Sequence, residues 1–196
     1  EEEVAEEEEA AEEEEAATGE KSVLKVLFEM EQAFYFTGNT SGLHSWFLFD
    51  RLGFADENLV SKYPGLASEW TISEDGLEYN IVLRDDIYWH DGEKITPDDV
   101  VWTMEALSKA IVIDTIFVSA LGKIEGTEEF RNGEADNISG ITIDGLNIKI
   151  KLTERYNIDA LISQMSILPK HLLENEEPEK LHLAEYWTWP IGSGPY

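Results

Sequence analysis

The sequence predicts a mixed α/β fold, and three local patterns indicate it. Apolar side chains alternate along residues 77–83, which is typical of a strand with one buried face. Residues 141–152 contain two apolar stretches separated by Asp-Gly at 144–145, the pattern of an antiparallel hairpin. Residues 96–99 read TPDD, a typical helix start. Strands and helices should therefore pack together in one globular body.

The remaining elements follow from apolar runs and turn residues. Leu43 to Leu52 has one apolar helical face and stops at Gly53, and a short strand at 87–90 should turn at Asp91-Gly92. We also predict a strand at 22–29, a loop at 30–41, a turn at 63–65 followed by a short helical turn before Trp70, and helices at 157–166 and 170–175.

The helix that starts at residue 96 has a complete set of start signals. Thr96 suits the N-cap, Pro97 suits the first helical position, and the carboxylates of Asp98 and Asp99 favour the positive end of the helix dipole. Capping explains this acidic pair without assigning it acid–base catalysis. The helix should bury one stripe of apolar side chains: Val100, Val101, Met104 and Leu107.

The hairpin is predicted in more detail. Asp144-Gly145 should form the two-residue turn, because glycine readily takes the positive φ angle that such turns need. The second strand should then direct alternate side chains to the core: Leu146, Ile148, Ile150 and Leu152.

Charge is distributed unevenly along the chain. It has 196 residues, 42 acidic and 14 basic side chains, and a formal net charge of -28. Residues 1–20 hold twelve Glu and no Lys or Arg, which predicts a solvated, disordered tether. The chain starts at Glu without a Met or a signal peptide, so we expect that an upstream segment has been removed. The acidic balance argues against nucleic-acid binding, and no apolar run reaches the length of a membrane span.

Motifs that would indicate catalysis or metal binding are missing from the sequence. There is no Gly-rich phosphate loop, no nucleophile elbow and no cysteine. The four histidines lack metal-ligand spacing: His44, His90, His171 and His182. We therefore predict that the protein is not an enzyme and that it has no catalytic residue, no metal and no cofactor.

Several separate blocks, in the right order and spacing, resemble one family. They are 66–70, 75–79, 83–93, 96–100, 167–171 and 191–196. The pattern resembles the family 5 extracellular solute-binding proteins, which are the oligopeptide and dipeptide receptors of ABC importers. The resemblance runs from about Val23 to Tyr196. It departs mildly at Ser193, where the family commonly has Thr.

The resemblance implies a two-lobed periplasmic-binding-protein-like fold of type II that closes on its ligand. This chain resembles the opening part, with one lobe incomplete plus an inserted α+β domain, and the opposite lobe is missing. The implied organisation is a tether at 1–20, the start of lobe one at 21–60, the remainder of the first lobe with the inserted domain at 61–186, and a return into lobe one at 187–196.

The family also implies roles for particular residues. Structural roles fall to the turn at Trp89, Asp91 and Gly92, to the helix cap at Thr96, Asp98 and Asp99, and to the return at Gly192 and Gly194. Ligand-facing positions are expected in two segments: Met30, Phe34 and Tyr35 in the first, and Ile116 and Phe117 in the second.

The resemblance predicts a substrate-capture protein that binds peptides non-covalently and delivers them to a membrane permease. It implies a monomer outside the cytoplasm, in the periplasm or at the cell surface as a lipoprotein, touching the membrane only through a lipid anchor that this chain lacks. Two alternatives stay open. One is an oligosaccharide or metal-chelate receptor of the same family, since the aromatic run 34–36 suits sugars; the other is an acidic surface or adhesion module without a small ligand.

Overall fold

A computed structural model describes residues 47–111 and 113–195. The predicted tether at 1–20, the strand at 22–29 and the loop at 30–41 lie outside the described residues. So do three of the predicted ligand-facing side chains, Met30, Phe34 and Tyr35.

The described residues form a mixed α/β structure, so the predicted fold class is confirmed. The strands are β1 (Gly53–Ala55), β2 (Ser61–Pro64), β3 (Ala67–Ile72), β4 (Glu78–Leu83), β5 (Ile141–Asp144) and β6 (Asn147–Lys151). The helices are α1 (Pro97–Lys109), α2 (Thr115–Leu121), α3 (Thr127–Arg131), α4 (Asp159–Ser163) and α5 (Lys170–Leu173), followed by 3₁₀ helices at Pro178–Leu183 and Glu185–Thr188.

Four strands form one antiparallel sheet in the order β3-β4-β6-β5, and β1 pairs with β2 in a separate ribbon. Strand β4 buries Tyr79, Ile81 and Leu83, which confirms the predicted alternation. Across the sheet, Tyr79 faces Ile150 and Ile81 faces Ile148. These pairs form one apolar face of the sheet, which stabilises it by removing hydrocarbon from water.

The hairpin of β5 and β6 is confirmed, but its turn lies one residue later than predicted. Asp144 pairs with Asn147, so the two central residues are Gly145 and Leu146. The reason is that only the first central residue needs a positive φ angle, and Gly145 provides it at 59°. Leu146 is consequently half-buried, whereas Ile148, Ile150 and Leu152 are buried as expected.

The predicted helix over residues 43–52 is wrong in its second half. Residues 47 and 48 are helical, but the chain leaves the helix at Phe49. From there its carbonyl groups bond to distant segments: Asp50 O accepts from Ile167 N (3.3 Å), Arg51 O from Leu66 N (2.8 Å) and Leu52 O from Ala67 N (2.9 Å). These tertiary partners replace the bonds that a continuing helix would make.

Two further local predictions are corrected by strand pairing. Residues 67–70 belong to β3 rather than to a helical turn, because they pair with β4. The predicted strand at 87–90 is reduced to a single bridge between Tyr88 and Lys94. The chain there turns too soon to form a longer ladder.

Helix α1 follows its prediction closely. Thr96 is the N-cap, and the Asp99 side chain accepts a hydrogen bond from its backbone N–H (2.8 Å), as in a capping box. Val100, Met104 and Leu107 are buried, and Val101 is half-buried. The helix packs against α2, α3 and α5. Helices α4 and α5 are present but shorter than predicted, and α2 and α3 were not predicted.

Candidate functional site

The turn at residues 89–92 is a tight loop held by its own backbone. The N–H of Trp89 donates to the carbonyl of Glu93 (2.8 Å), and the N–H of Gly92 donates to the carbonyl of Trp89 (2.9 Å). Gly92 has φ of 92°, a conformation that favours glycine. Asp91 Oδ1 accepts from Glu93 N (3.1 Å), so the Asp-Gly pair fixes the shape of the loop.

This turn docks onto the end of the described chain. The N–H of His90 donates to the carbonyl of Gly192 (2.8 Å), and His90 Nε2 lies 2.7 Å from the carbonyl oxygen of Gly194. A carbonyl can only accept, so His90 carries a proton on Nε2. The side chain and backbone of one residue thus hold two positions of the segment 192–194.

The same segment pairs with the chain at residues 48–50. The N–H groups of Ser193 and Gly194 both donate to the carbonyl of Leu48 (2.9 Å each), and Asp50 N–H donates to Ser193 Oγ (2.9 Å). We call residues 48–50, 89–92 and 192–194 the junction. It joins three segments that lie far apart in sequence.

Two glycines make the close approach in the junction possible. A Cβ atom on Gly192 would lie 1.8 Å from the carbonyl oxygen of Leu48, and one on Gly194 would lie 2.4 Å from the carbonyl oxygen of Phe47. Both distances are far below van der Waals contact. The structure therefore places these glycines where any side chain would separate the two chain segments.

One buried carboxylate connects the starts of two helices. Asp99, with 6% of its surface exposed, accepts from Thr96 N (2.8 Å) and from Lys170 N (3.1 Å). It therefore caps α1 and α5 together. Neighbouring Asp98 is exposed and lies 3.9 Å from Lys170 Nζ, a separation at which a surface pair contributes little.

Asp91 and His171 form a second connection, between the turn and α5. His171 Nε2 lies 2.9 Å from Asp91 Oδ2, and the His171 ring stands 6.3 Å from the buried Trp89 ring. Burial opposes ionisation of Asp91, but the hydrogen bonds from His171 and Glu93 outweigh it, so the pKa of Asp91 lies below its ordinary value.

Burial governs three other titratable groups near the junction. It raises the pKa of Asp50 above its usual value, although electrostatic interactions with Arg51, His90 and Arg84 oppose the shift. It lowers the pKa of Arg51 to about 10, against the opposing effect of Asp50. Burial and the negative charge of Asp91 raise the pKa of Tyr186 well above its usual range. The Tyr186 hydroxyl donates to the Ile191 carbonyl, just before the return segment.

The junction contains an unpaired buried donor, and a shallow depression lies outside it, beside α5. Trp89 is 2% exposed, and its Nε1 has no hydrogen-bond partner within the described part of the chain. A depression of about 190 Å³ beside α5 is lined by side chains of both signs, including Glu93, Lys94 and Glu174. Its mixed charge favours neither an anion nor a cation.

The predicted ligand-facing residues that can be located lie on α2, away from these contacts. Asp114 caps this helix by accepting from Ile116 N (3.0 Å). Ile116 is 41% exposed, whereas Phe117 is 2% exposed and belongs to the hydrophobic core. Ile116 is therefore the accessible member of the pair, and a ligand-binding role for this segment stays a prediction.

The structure brings the turn at 89–92 together with Gly192 and Gly194, which were predicted to be structural, whereas only Ile116 and Phe117 of the predicted ligand-facing residues are described. Contacts at or beside the junction also involve His171, Tyr186 and the carbonyl of Leu48, which were not predicted from the sequence. No local pattern could have identified them, because their partners are 80 residues away or are main-chain atoms. Within residues 47–111 and 113–195, no three His, Cys, Asp or Glu side chains are grouped to hold a metal ion. No helix in those residues is long and apolar enough to cross a membrane.

Comparison with known proteins connects this geometry to one group of proteins. The sequence model described as "Bacterial extracellular solute-binding proteins, family 5 Middle" matches residues 62–196. The dipeptide-binding protein of Escherichia coli (strain K12) is 29% identical over 177 residues, which cover 82% of this chain and 31% of that protein.

Two solved structures have a similar fold. NikZ from Campylobacter jejuni, in complex with Ni(L-His), has a TM-score of 0.58 and 35% identity, and the match covers 77% of this chain and 27% of NikZ. AppA from Bacillus subtilis, in complex with a nonapeptide, has a TM-score of 0.64 and 27% identity, covering 83% and 30%. The chain thus spans about a third of the length of these relatives.

Proposed function

The chain belongs to the family 5 bacterial extracellular solute-binding proteins, and from this membership we propose that it is part of a substrate-capture protein of an ABC importer. In this proposal the protein binds peptides non-covalently in a cleft between two lobes and delivers them to a membrane permease. The family match over residues 62–196 is the observation that carries it.

The junction supports the division of the chain into lobe and insertion. Residues 48–50 and 192–194 are hydrogen-bonded to each other, so the chain between them leaves and returns at one place. In the proposed organisation the flanking segments belong to lobe one, and 61–186 holds the inserted domain. In this organisation the junction holds the segments of lobe one together and does not contact the cargo.

Peptide is the proposed cargo because two of the similar proteins carry peptide in their description, a dipeptide-binding protein and AppA with its nonapeptide. Affinity for peptides of varied sequence would come from main-chain hydrogen bonds, with water filling variable side-chain pockets. The proposed ligand-facing side chains of this chain are Met30, Phe34, Tyr35 and Ile116, with Phe117 supporting Ile116 from the core.

A metal chelate is the second candidate, and one observation favours it. NikZ, solved with Ni(L-His), has 35% identity to this chain, which is higher than for the nonapeptide-bound AppA. A chelate brings its own metal ligands, so a cluster of metal-binding side chains in this chain is not required. An oligosaccharide would depend on the aromatic run 34–36.

The proposal includes a location and partners. The protein works outside the cytoplasm, in the periplasm or as a cell-surface lipoprotein, and acts as a monomer without a cofactor or catalysis. Residues 1–20, with twelve Glu, would serve as a spacer between the folded body and the membrane surface. Their charge would keep the spacer solvated.

Native mass spectrometry of the full-length protein, purified without denaturation, tests the cargo directly. A series of bound masses that fit short peptides supports the proposal. A single bound mass with a nickel isotope pattern would replace peptide by chelate. No bound mass, also after addition of peptide, sugar and nickel-histidine mixtures, would refute capture of a small solute and favour a surface module.

A further inference from the structure

The loop between β1 and β2 has a geometry that normally requires glycine or asparagine. Asp56 N–H donates to the carbonyl of Val60 (2.9 Å), and Leu59 N–H donates to the carbonyl of Asp56 (3.0 Å). These bonds define a three-residue hairpin loop, a type I turn followed by one left-handed residue. That residue is Leu59, with φ of 62°, and no other non-glycine residue in 47–111 or 113–195 has a positive φ.

The rest of the loop is built to hold this conformation. Asp56 Oδ1 accepts from Asn58 N (2.8 Å) and from Val60 N (3.3 Å), and Lys62 Nζ lies 3.8 Å from Asp56 Oδ2. Asn58, a residue type that tolerates the left-handed conformation, lies one position before the left-handed residue Leu59. Leucine is unfavourable at the left-handed position because its Cβ approaches a carbonyl oxygen.

Burial of the Leu59 side chain within the described residues does not compensate for this strain. The Leu59 side chain is 74% exposed, and two apolar neighbours on the same hairpin, Val60 and Tyr63, are each 51% exposed. We call these three residues the hairpin tip. A strained residue that buries little of its own surface is better explained by contact with another molecule than by folding.

Charge restricts what that molecule can be. The chain carries a net charge of -28. Asp56 and Glu57 precede the tip and Lys62 lies within it, 3.8 Å from Asp56, so the hairpin keeps a net negative charge. A second copy, or a surface of anionic phospholipid, would bring like charges together. An apolar pocket surrounded by Lys and Arg side chains would instead bury the tip and attract its flanks.

We propose that the hairpin tip docks into an apolar pocket with a basic rim on the extracytoplasmic face of the importer's permease. The inference rests on the proposed function, because it takes the permease as the partner. Leu59, Val60 and Tyr63 make the contact with the permease. These three residues take no part in cargo binding.

A single introduced thiol tests whether the tip is free in the full-length protein and covered in the complex. Residues 1–196 contain no cysteine, so Leu59→Cys provides one reactive site within them, and the full-length protein without the substitution measures the reaction of any cysteine elsewhere. We expect rapid reaction with a maleimide in the full-length protein and at least tenfold slower reaction after adding phosphatidylcholine proteoliposomes that contain the permease encoded with it. A thiol that is unreactive in the free protein, or equally reactive in both, would overturn the proposal.

Leu59→Asn tests the side chain while keeping the turn, because asparagine tolerates the left-handed conformation. In the full-length protein we expect an unchanged or slightly higher melting temperature, unchanged peptide affinity and about tenfold weaker binding to the proteoliposomes. Leu183→Asn is the matched control: it changes a leucine that is 69% exposed and has an ordinary φ angle, and it should leave all three measurements unchanged.

The same measurements separate failure of the docking proposal from failure of the proposed function. If wild type binds peptide and permease and Leu59→Asn binds the permease equally well, the inference alone fails. If wild type binds neither, the proposed function fails and the docking proposal fails with it. Binding to empty vesicles, or an association rate with the permease that does not fall with added salt, would overturn the basic protein partner.

Discussion

His90 Nε2 lies 2.7 Å from the carbonyl oxygen of Gly194, a residue 104 positions further along the chain. The backbone N–H of His90 makes a second bond to Gly192, so this histidine orients the return segment by two contacts. These two hydrogen bonds give His90 a structural role as a turn residue.

Gly192→Ala should destabilise the fold strongly, by about 2–4 kcal/mol, because the new Cβ would lie 1.8 Å from the Leu48 carbonyl oxygen. Gly92→Ala is the comparison. Its Cβ would meet nothing within 4 Å, but its φ of 92° strains alanine, so we expect about 1 kcal/mol. Urea unfolding monitored by tryptophan fluorescence gives both values. Equal losses would show that the segments 47–48 and 192–194 can separate without cost.

Asp99→Ala should cost about 1–3 kcal/mol, since it leaves the half-buried N–H groups of Thr96 and Lys170 without their acceptor. Asp98→Ala should cost less than about 0.5 kcal/mol, because Asp98 is exposed and 3.9 Å from Lys170 Nζ. The two neighbouring variants carry the same change in charge. A thermal or urea unfolding curve that ranks them in the opposite order would contradict the double-capping role of Asp99.

Asp91 should contribute to stability at neutral pH and lose that contribution in acid. Its pKa is lower in the folded protein than in the unfolded chain, so the unfolded state binds more protons as pH falls. Stability from this group is complete above the unfolded value and disappears as pH drops through the folded value. The free energy of unfolding, measured from pH 6 to pH 3, should fall less steeply in Asp91→Asn than in wild type.

Asp136→Asn, at an exposed position, controls for the general effect of removing one negative charge from this acidic chain. It should leave the acid slope close to that of wild type. An identical slope in Asp91→Asn would mean that the contact with His171 does not favour the ionised carboxylate.

Residues 21–196 alone should bind peptide weakly or not at all. The chain spans about a third of the length of its relatives, and under the proposed function half a cleft lacks the contacts of the closing lobe. Isothermal titration with a mixture of short peptides, beside the full-length protein as the positive control, measures the difference. Micromolar or tighter binding by the segment would contradict this expectation.

Local chemistry determined which parts of this fold were predictable. The start of α1 depends on residues 96–99 alone, and β4 shows its buried face by simple alternation, so both were predicted well. Residues 49–52 were predicted to be helical because Leu43 to Leu52 has one apolar helical face, but the carbonyl groups of 50–52 bond to residues 66, 67 and 167. Such partners are chosen by the tertiary fold, and the sequence near residue 50 does not contain them.

The candidate site shows the same difference between local and distant contacts. The family resemblance identified the turn at 89–92 and the glycines at 192 and 194 as structural, and the structure places them side by side. The pair Asp91 and His171 depends on how α5 packs, which is not visible in a sequence motif. The left-handed Leu59 is also hidden, because a propensity-based reading expects glycine or asparagine there.

The hydrogen bond between Asp50 N and Ser193 Oγ, 2.9 Å long and spanning 143 positions, bears on how such a protein can change over evolution. A block whose two ends lie next to each other can be lengthened, shortened or exchanged without rerouting the chain on either side. The 48–50 and 192–194 segments are therefore natural boundaries for chimeras, in which the intervening block of one relative replaces that of another.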